Sequence, residues 1–162
     1  MDARNIKKIL DAVKYGRMKV EEAIEKLRHL PYEDIGFAQI DHHRQLRQGF
    51  PEVIFCKGKT IEQAVEIIER MLDKKSDILA TRAELNMYKA IKAIDPRARY
   101  NDLAMTIVIE NKKKTLSSGR ILIVTAGTAD IPVAEEAKVT AELLGSSTDV
   151  LYDVGVAGIH RL

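Results

Sequence analysis

The sequence predicts an α/β chain: a helical hairpin and a small α+β layer, then the beginning of a doubly wound parallel sheet that the chain leaves incomplete. Three observations predict it. Apolar residues recur at three- and four-residue spacing through the first thirty positions. From about Asp34 to Glu110, short β-branched runs alternate with helical spacing in the order β-α-β-α-β-β. Arg120 to Ala126 (RILIVTA) is then apolar without alternation, which suits a strand covered on both faces.

Taken in order, Ile6, Ile9, Leu10 and Val13 make the apolar face of a first helix, and Gly16 can adopt the left-handed backbone that ends it. Val20, Ala23, Ile24 and Leu27 repeat the spacing until Pro31 closes the second helix. This hairpin carries no evident chemistry; it packs on the rest of the chain or on a copy of itself. Val53-Ile54-Phe55 reads as a strand. Thr60 and Gln63 form a capping box opening a helix that buries Ile61, Ala64, Val65, Ile68 and Leu72. Ile78 to Thr81 is a second strand. Thr81 and Glu84 offer another capping box, ahead of a helix with Leu85, Tyr88, Ile91 and Ile94 inward, stopped at Asp95-Pro96. Arg99-Tyr100 and Met105 to Ile109 are two further strands. The polar stretch from Asn111 to Gly119 marks a boundary. The division expected is a hairpin at 1–33, an α+β domain at 34–116 and a first β-α-β unit at 117–162. In that unit Gly127 to Asp130 is a turn, Pro132 to Leu144 a helix with Val133, Ala137, Ala141 and Leu144 inward, and Val150 to Val154 the next strand.

Composition narrows the function. A chain of 162 residues that is 46% hydrophobic buries a core of its own. A net charge of +2, few aromatics and no Trp give no footprint for nucleic acid. The run Lys112-Lys113-Lys114 reads as a solvated loop. One cysteine, Cys56, rules out a disulfide within the chain and sets a reducing, cytoplasmic compartment as the expectation. No apolar run reaches the ~20 residues a membrane helix needs, and the N-terminus lacks the apolar core of a signal peptide.

Three places could carry chemistry. Gly127, Thr128 and Asp130 lie between a strand and a helix, where backbone N–H groups and the Thr128 hydroxyl can hold a phosphate. Asp130 either accepts from ribose hydroxyls or caps the helix. After the next strand come Asp153, Gly155, Gly158, His160 and Arg161 at the same sheet edge; His-Arg can move a proton and bind an anion, or the segment is a surface loop. Asp41, His42, His43 and Arg44 form a third cluster. Adjacent histidines need not converge, so contact with a substrate or a neighbouring subunit is favoured over a metal, and no metal site is assigned. Cys56, at a strand end, is read as an inert buried thiol.

Arg47 to Ile54 (RQGFPEVI), Gly58-Lys59-Thr60, Thr125 to Ala137 (TAGTADIPVAEEA) and Tyr152 to Leu162 (YDVGVAGIHRL) resemble one family. It is the pyridinium-3,5-biscarboxylic acid mononucleotide synthases of nickel-pincer cofactor synthesis, the LarB family. The resemblance runs from about Pro31 onward, with Ala129 standing where the family carries Ser. The C-terminal part is similar in turn to the PurE-like aminoimidazole ribonucleotide carboxylases and mutases. Gly127, Thr128 and Asp130 match their nucleotide-holding turn, one residue shorter, and His160-Arg161 their catalytic loop. Those purine enzymes lack the long N-terminal region.

The resemblance implies a PurE-like, flavodoxin-like sheet and a reaction in which nicotinic acid adenine dinucleotide is carboxylated by CO2 at C5 of its pyridinium ring and then hydrolysed, releasing AMP. It implies a catalytic His160 and substrate or phosphate binding by Gly127, Thr128, Asp130, Asp153 and Arg161; contacts from Asp41, His43 and Arg44 remain the expectation from the polar cluster itself. A nucleophilic cysteine is expected beyond Leu162, so this chain alone is expected to be an inactive fragment of an enzyme that works as a homo-oligomer. Mg2+ is a candidate aid to the hydrolysis. The alternatives are an aminoimidazole ribonucleotide carboxylase or mutase, and a non-catalytic nucleotide-binding module.

Overall fold

The computed structural model describes residues 3–28, 33–41, 44, 50, 52–111 and 119–161. Its elements run α1 (Ala3–Lys14), α2 (Val20–Arg28), β1 (Glu33–Asp34), β2 (Gln39–Ile40), β3 (Val53–Phe55), α3 (Ile61–Asp73), β4 (Ile78–Thr81), α4 (Leu85–Ile94), β5 (Arg99–Asn101), β6 (Thr106–Ile109), β7 (Arg120–Val124), α5 (Ile131–Leu143) and β8 (Ser147–Leu151). This is the mixed α/β architecture expected. Pro31, the lysine run 112–114 and most of the 111–119 stretch lie outside the described residues.

The hairpin forms as its spacing predicts, with Gly16 at φ +66° between the two helices. Ile9 and Ala23 are buried, whereas Leu10 and Ile24, expected inward with them, are exposed. Two antiparallel helices cover only the near side of each other's apolar stripe. The short pair β1–β2 was not foreseen from the sequence. It turns at Gly36, whose N–H donates to Asp34 Oδ1 at 2.8 Å, and two-residue strands carry too little periodicity to read.

The main sheet has the order β3-β4-β6-β5. β3 and β4 are parallel, and the other pairs antiparallel. Alternation along the strands divides its side chains between two faces. Ile78, Ala80, Ile107 and Ile109 meet α3 and α4 through Ile68, Met71 and Ile91, forming the main core. Leu79 and Val108, cross-strand partners, point the other way and are covered by Leu143 and Val139 of α5. All four residues of β4 and of β6 are therefore buried.

α3 opens with the predicted capping box: Thr60 Oγ1 accepts from Gln63 N (3.2 Å), and Gln63 Oε1 from Thr60 N (3.1 Å). The second predicted box does not form. Thr81 is held in β4, and Glu84 stands at the N-cap of α4 with no side-chain cap bond. The inward face of α4 is Met87 and Ile91 with Tyr88 partly buried, while Leu85 and Ile94 at its ends are exposed.

β7 and β8 pair in parallel with α5 between them in sequence, as the β-α-β reading requires. β8 begins three residues before the predicted strand, because the polar Ser147 to Asp149 pair with β7 through their backbone. Two details of this unit differ from expectation. β7 is not covered on both faces: Ile121, Leu122 (60%) and Val124 (52%) are exposed. The inward residues of α5 are Ala134, Glu135 and Leu143, not Val133, Ala137 and Leu144, which face outward. α5 packs against β7 and β8 and at the same time turns its Val139–Leu143 side to Leu79 and Val108 of the four-stranded sheet. No helix among the described residues is long and apolar enough to cross a membrane.

Candidate functional site

A parallel strand pair delivers both following segments to one edge, and here backbone bonds lock them together. Thr125, at the end of β7, donates its N–H to Leu151 O (3.0 Å) and accepts from Val154 N through its carbonyl (3.0 Å). Its hydroxyl, in a buried residue, accepts from Asp153 N at 3.2 Å. Gly155 N donates to Ala126 O at 2.9 Å, and a Cβ on Gly155 would lie 2.7 Å from that oxygen. The two segments read from sequence as separate signals are one joint.

On one side of the joint, Thr128 to Asp130 make a single 3-10 turn entering α5, with Pro132 in the first helical turn. Asp130 Oδ2 accepts from Gly127 N at 3.1 Å. That N–H, expected to be open to a phosphate, is thus held by the chain's own carboxylate. An incoming anion must displace Asp130 or use the N–H groups that follow. Thr128 and Asp130 are exposed.

On the other side, the predicted loop is a 3-10 turn over Val156–Arg161. The Arg161 guanidinium donates to the Asp153 carbonyl at 3.0 Å and forms an ion pair with the Asp153 carboxylate. Asp153 adopts φ +59°, a left-handed backbone that Asp tolerates better than most residues. His160 and Arg161 are exposed. Gly158 N donates to Gly155 O at 2.7 Å, and Gly158 sits against the Arg161 side chain.

The third predicted cluster lies elsewhere. Asp41 follows β2, and its N–H donates to Glu52 Oε2 at 2.6 Å, beside β3. Arg44 N reaches Asp41 O at 3.4 Å. His42 and His43 lie outside the described residues. Among the described residues no group of three His, Cys, Asp or Glu is placed to hold a metal. Cys56 is buried and its thiol is pushed up to about 11 by desolvation, only partly opposed by Lys59. It is a poor nucleophile at neutral pH.

One polar group went unread. Glu135 of α5 is buried; it accepts from the Tyr152 hydroxyl, from Asn101 Nδ2 at 2.9 Å, and pairs with Lys138 Nζ at 3.8 Å. The bond from Tyr152 holds the carboxyl below its ordinary value despite burial, and pushes the phenol up to about 12. The available signal was the i, i+4 row Ile131–Glu135–Val139–Leu143, which places a carboxylate on an apolar stripe.

Residues 32–112 match the family model described as the LarB/PurE-like N-terminal domain. Over 167 aligned residues the chain is 37% identical to an uncharacterized protein of Methanocaldococcus jannaschii, an alignment that covers 98% of this chain and 65% of that protein. The chain thus spans just under two thirds of that relative's length.

Proposed function

The chain belongs to the LarB/PurE-like family, and from that premise we propose that it is part of a carboxylase/hydrolase that converts nicotinic acid adenine dinucleotide and CO2 to pyridinium-3,5-biscarboxylic acid mononucleotide and AMP. The observation that carries the reading is the joint between the Gly127–Asp130 turn and the Asp153–Arg161 segment at the carboxyl edge of a parallel pair. Ligands of open α/β sheets bind at such edges. The family match is compatible with an aminoimidazole ribonucleotide as well; the dinucleotide is put first because the resemblance to the purine enzymes does not extend over the long N-terminal region.

The chemistry assigns roles. A pyridinium ring is electron-poor, so its C5 cannot attack CO2. Addition at C4 of a thiolate, supplied by a cysteine of the enzyme other than the buried Cys56, leaves an enamine whose C5 is nucleophilic; after carboxylation a base removes the C5 proton and the thiolate departs. His160, exposed at the edge, is the candidate for that proton. Arg161 is the anion-binding group, released from Asp153 when a phosphate takes its place. Thr128 contributes a hydroxyl and Asp130 accepts from ribose. Water then cleaves the phosphoanhydride and releases AMP, a step for which Mg2+ is a candidate aid. The enzyme acts as a cytoplasmic homo-oligomer, and Asp41, His43 and Arg44 are contacts to substrate or subunit.

Equilibrium binding of the dinucleotide tests recognition, with aminoimidazole ribonucleotide in parallel. Arg161→Ala is expected to weaken the dinucleotide about tenfold, as for a lost charge-assisted contact. Incubation of the whole enzyme of which this chain is part with the dinucleotide and isotopic bicarbonate, read by mass for the biscarboxylate mononucleotide and AMP, tests the chemistry. Binding and carboxylation of the ribonucleotide alone would replace this reading with the purine one.

A further inference from the structure

The four-stranded sheet and α5 enclose a cleft of about 560 Å3. It lies where α5 ends and β8 begins, lined by Leu143, Ser147 and Thr148, at the amino edge of the parallel pair. The joint described above is at the carboxyl edge. The floor is one face of the sheet: Asn101 is paired with Thr106, and Arg99 with Val108. Val108, Val139 and Leu143 make the middle apolar, and hydroxyl, amide and carboxylate groups rim it.

Thr106 is fully buried on that floor, and its hydroxyl has no hydrogen-bond partner. Among the described residues the other such side-chain atom is Glu136 Oε2, which lies 3.0 Å from Arg82 Nε in an ion pair. Groups around Thr106 are engaged. The Asn101 amide donates to Glu135, and its oxygen accepts from Ala104 N at 3.0 Å. Arg99 pairs with Glu110, and Glu142 accepts from Thr148 at 2.6 Å. A buried hydroxyl left unpaired carries a desolvation penalty that valine, of the same shape, would not.

Charge selects the ligand class. Among the described lining residues Glu110 and Glu142 outnumber Arg99, and the carboxyl end of α5, with its partial negative charge, ends there. Phosphates and carboxylates are disfavoured. The volume falls in the range of small-molecule sites.

We propose that this cleft binds an uncharged or cationic small molecule that presents a flat apolar ring to Val139, the partly buried edge of the Val108–Leu143 contact, and hydroxyl or amino groups to Thr106 and the rim, a nucleoside without phosphate being the type. The site is separate from the carboxylation reading and stands or falls without it.

Adenosine and uridine, with AMP as the charged counterpart, are titrated into the whole chain and followed by amide chemical shifts. Nucleoside binding is expected at the cleft, with AMP weaker. Thr106→Val is expected to weaken the nucleoside about tenfold, or about 1.4 kcal/mol, while unfolding at the same or higher denaturant than the parent. Thr106→Ser, which keeps the hydroxyl, retains binding. Absence of nucleoside binding overturns the proposal, as does AMP binding more tightly, or a loss on Arg161→Ala in place of Thr106→Val, which would put the nucleoside at the other edge.

Discussion

Gly155 is where the candidate site depends on a single atom. Its N–H binds Ala126 O, and a methyl group there would meet the same oxygen at 2.7 Å. Because the obstacle is backbone, it cannot swing aside as a side-chain tip would. Gly155→Ala is therefore expected to force the two segments apart and destabilise the protein by about 1–3 kcal/mol. Gly127 makes the useful contrast. Its backbone is extended, and the nearest atom to an added Cβ is Asp130 Oδ2 at 3.9 Å, so Gly127→Ala is expected to leave stability within about 0.5 kcal/mol. Denaturant midpoints of the two variants check the pair; equal losses would contradict the geometry. The sequence revealed the residues of this site but not their mutual use. That Asp130 closes on Gly127, and Arg161 on Asp153, depends on a turn geometry that a string of residue types does not carry.

Among the elements, α3 was the most legible. Its capping box, the strand before it and the burial of Ala64 and Ile68 follow from spacing, whereas Ile61, expected inward at the first turn, is exposed and Ile67 and Met71 complete the buried face. Thr60→Ala removes the bond to Gln63 N and is expected to lower stability by about 1 kcal/mol, measured by chemical denaturation; Thr60→Ser should restore most of it. The same Thr-x-x-Glu pattern failed at α4, where Thr81 is a strand residue paired with Phe55. A capping box needs its first residue free to leave the preceding element, and the pattern alone cannot say whether it is. α5 was placed correctly along the chain but rotated. Its outward residues, Val133, Ala137 and Leu144, are as apolar as its inward ones, so periodicity gives two answers, and contact with the four-stranded sheet selects between them.

At the scale of the whole molecule, Glu135 ties the two sheets together: it accepts from Asn101 at the end of β5 and from Tyr152 just past β8. Its folded-state value lies below its ordinary 4.5. Its contribution is therefore complete above about pH 4.5 and lost as pH falls through the folded value. Tyr152 runs the opposite way: raised from 10 to about 12, it contributes fully below pH 10 and loses that contribution as pH rises toward 12. Stability should thus hold a plateau between these limits. Glu135→Gln is expected to cost about 1 kcal/mol at pH 7 and to flatten the acid limb, as followed by urea midpoints across pH. An acid limb unchanged by the substitution would show that the carboxylate does not couple the layers.

The bare side of β7 has a further consequence. A strand that bears exposed Ile121, Leu122 and Val124 and, among the described residues, pairs with β8 alone offers its other edge to a further extended segment. Aggregation of this chain is expected to start at this strand, and Leu122→Lys is expected to suppress it, as read by light scattering on concentration.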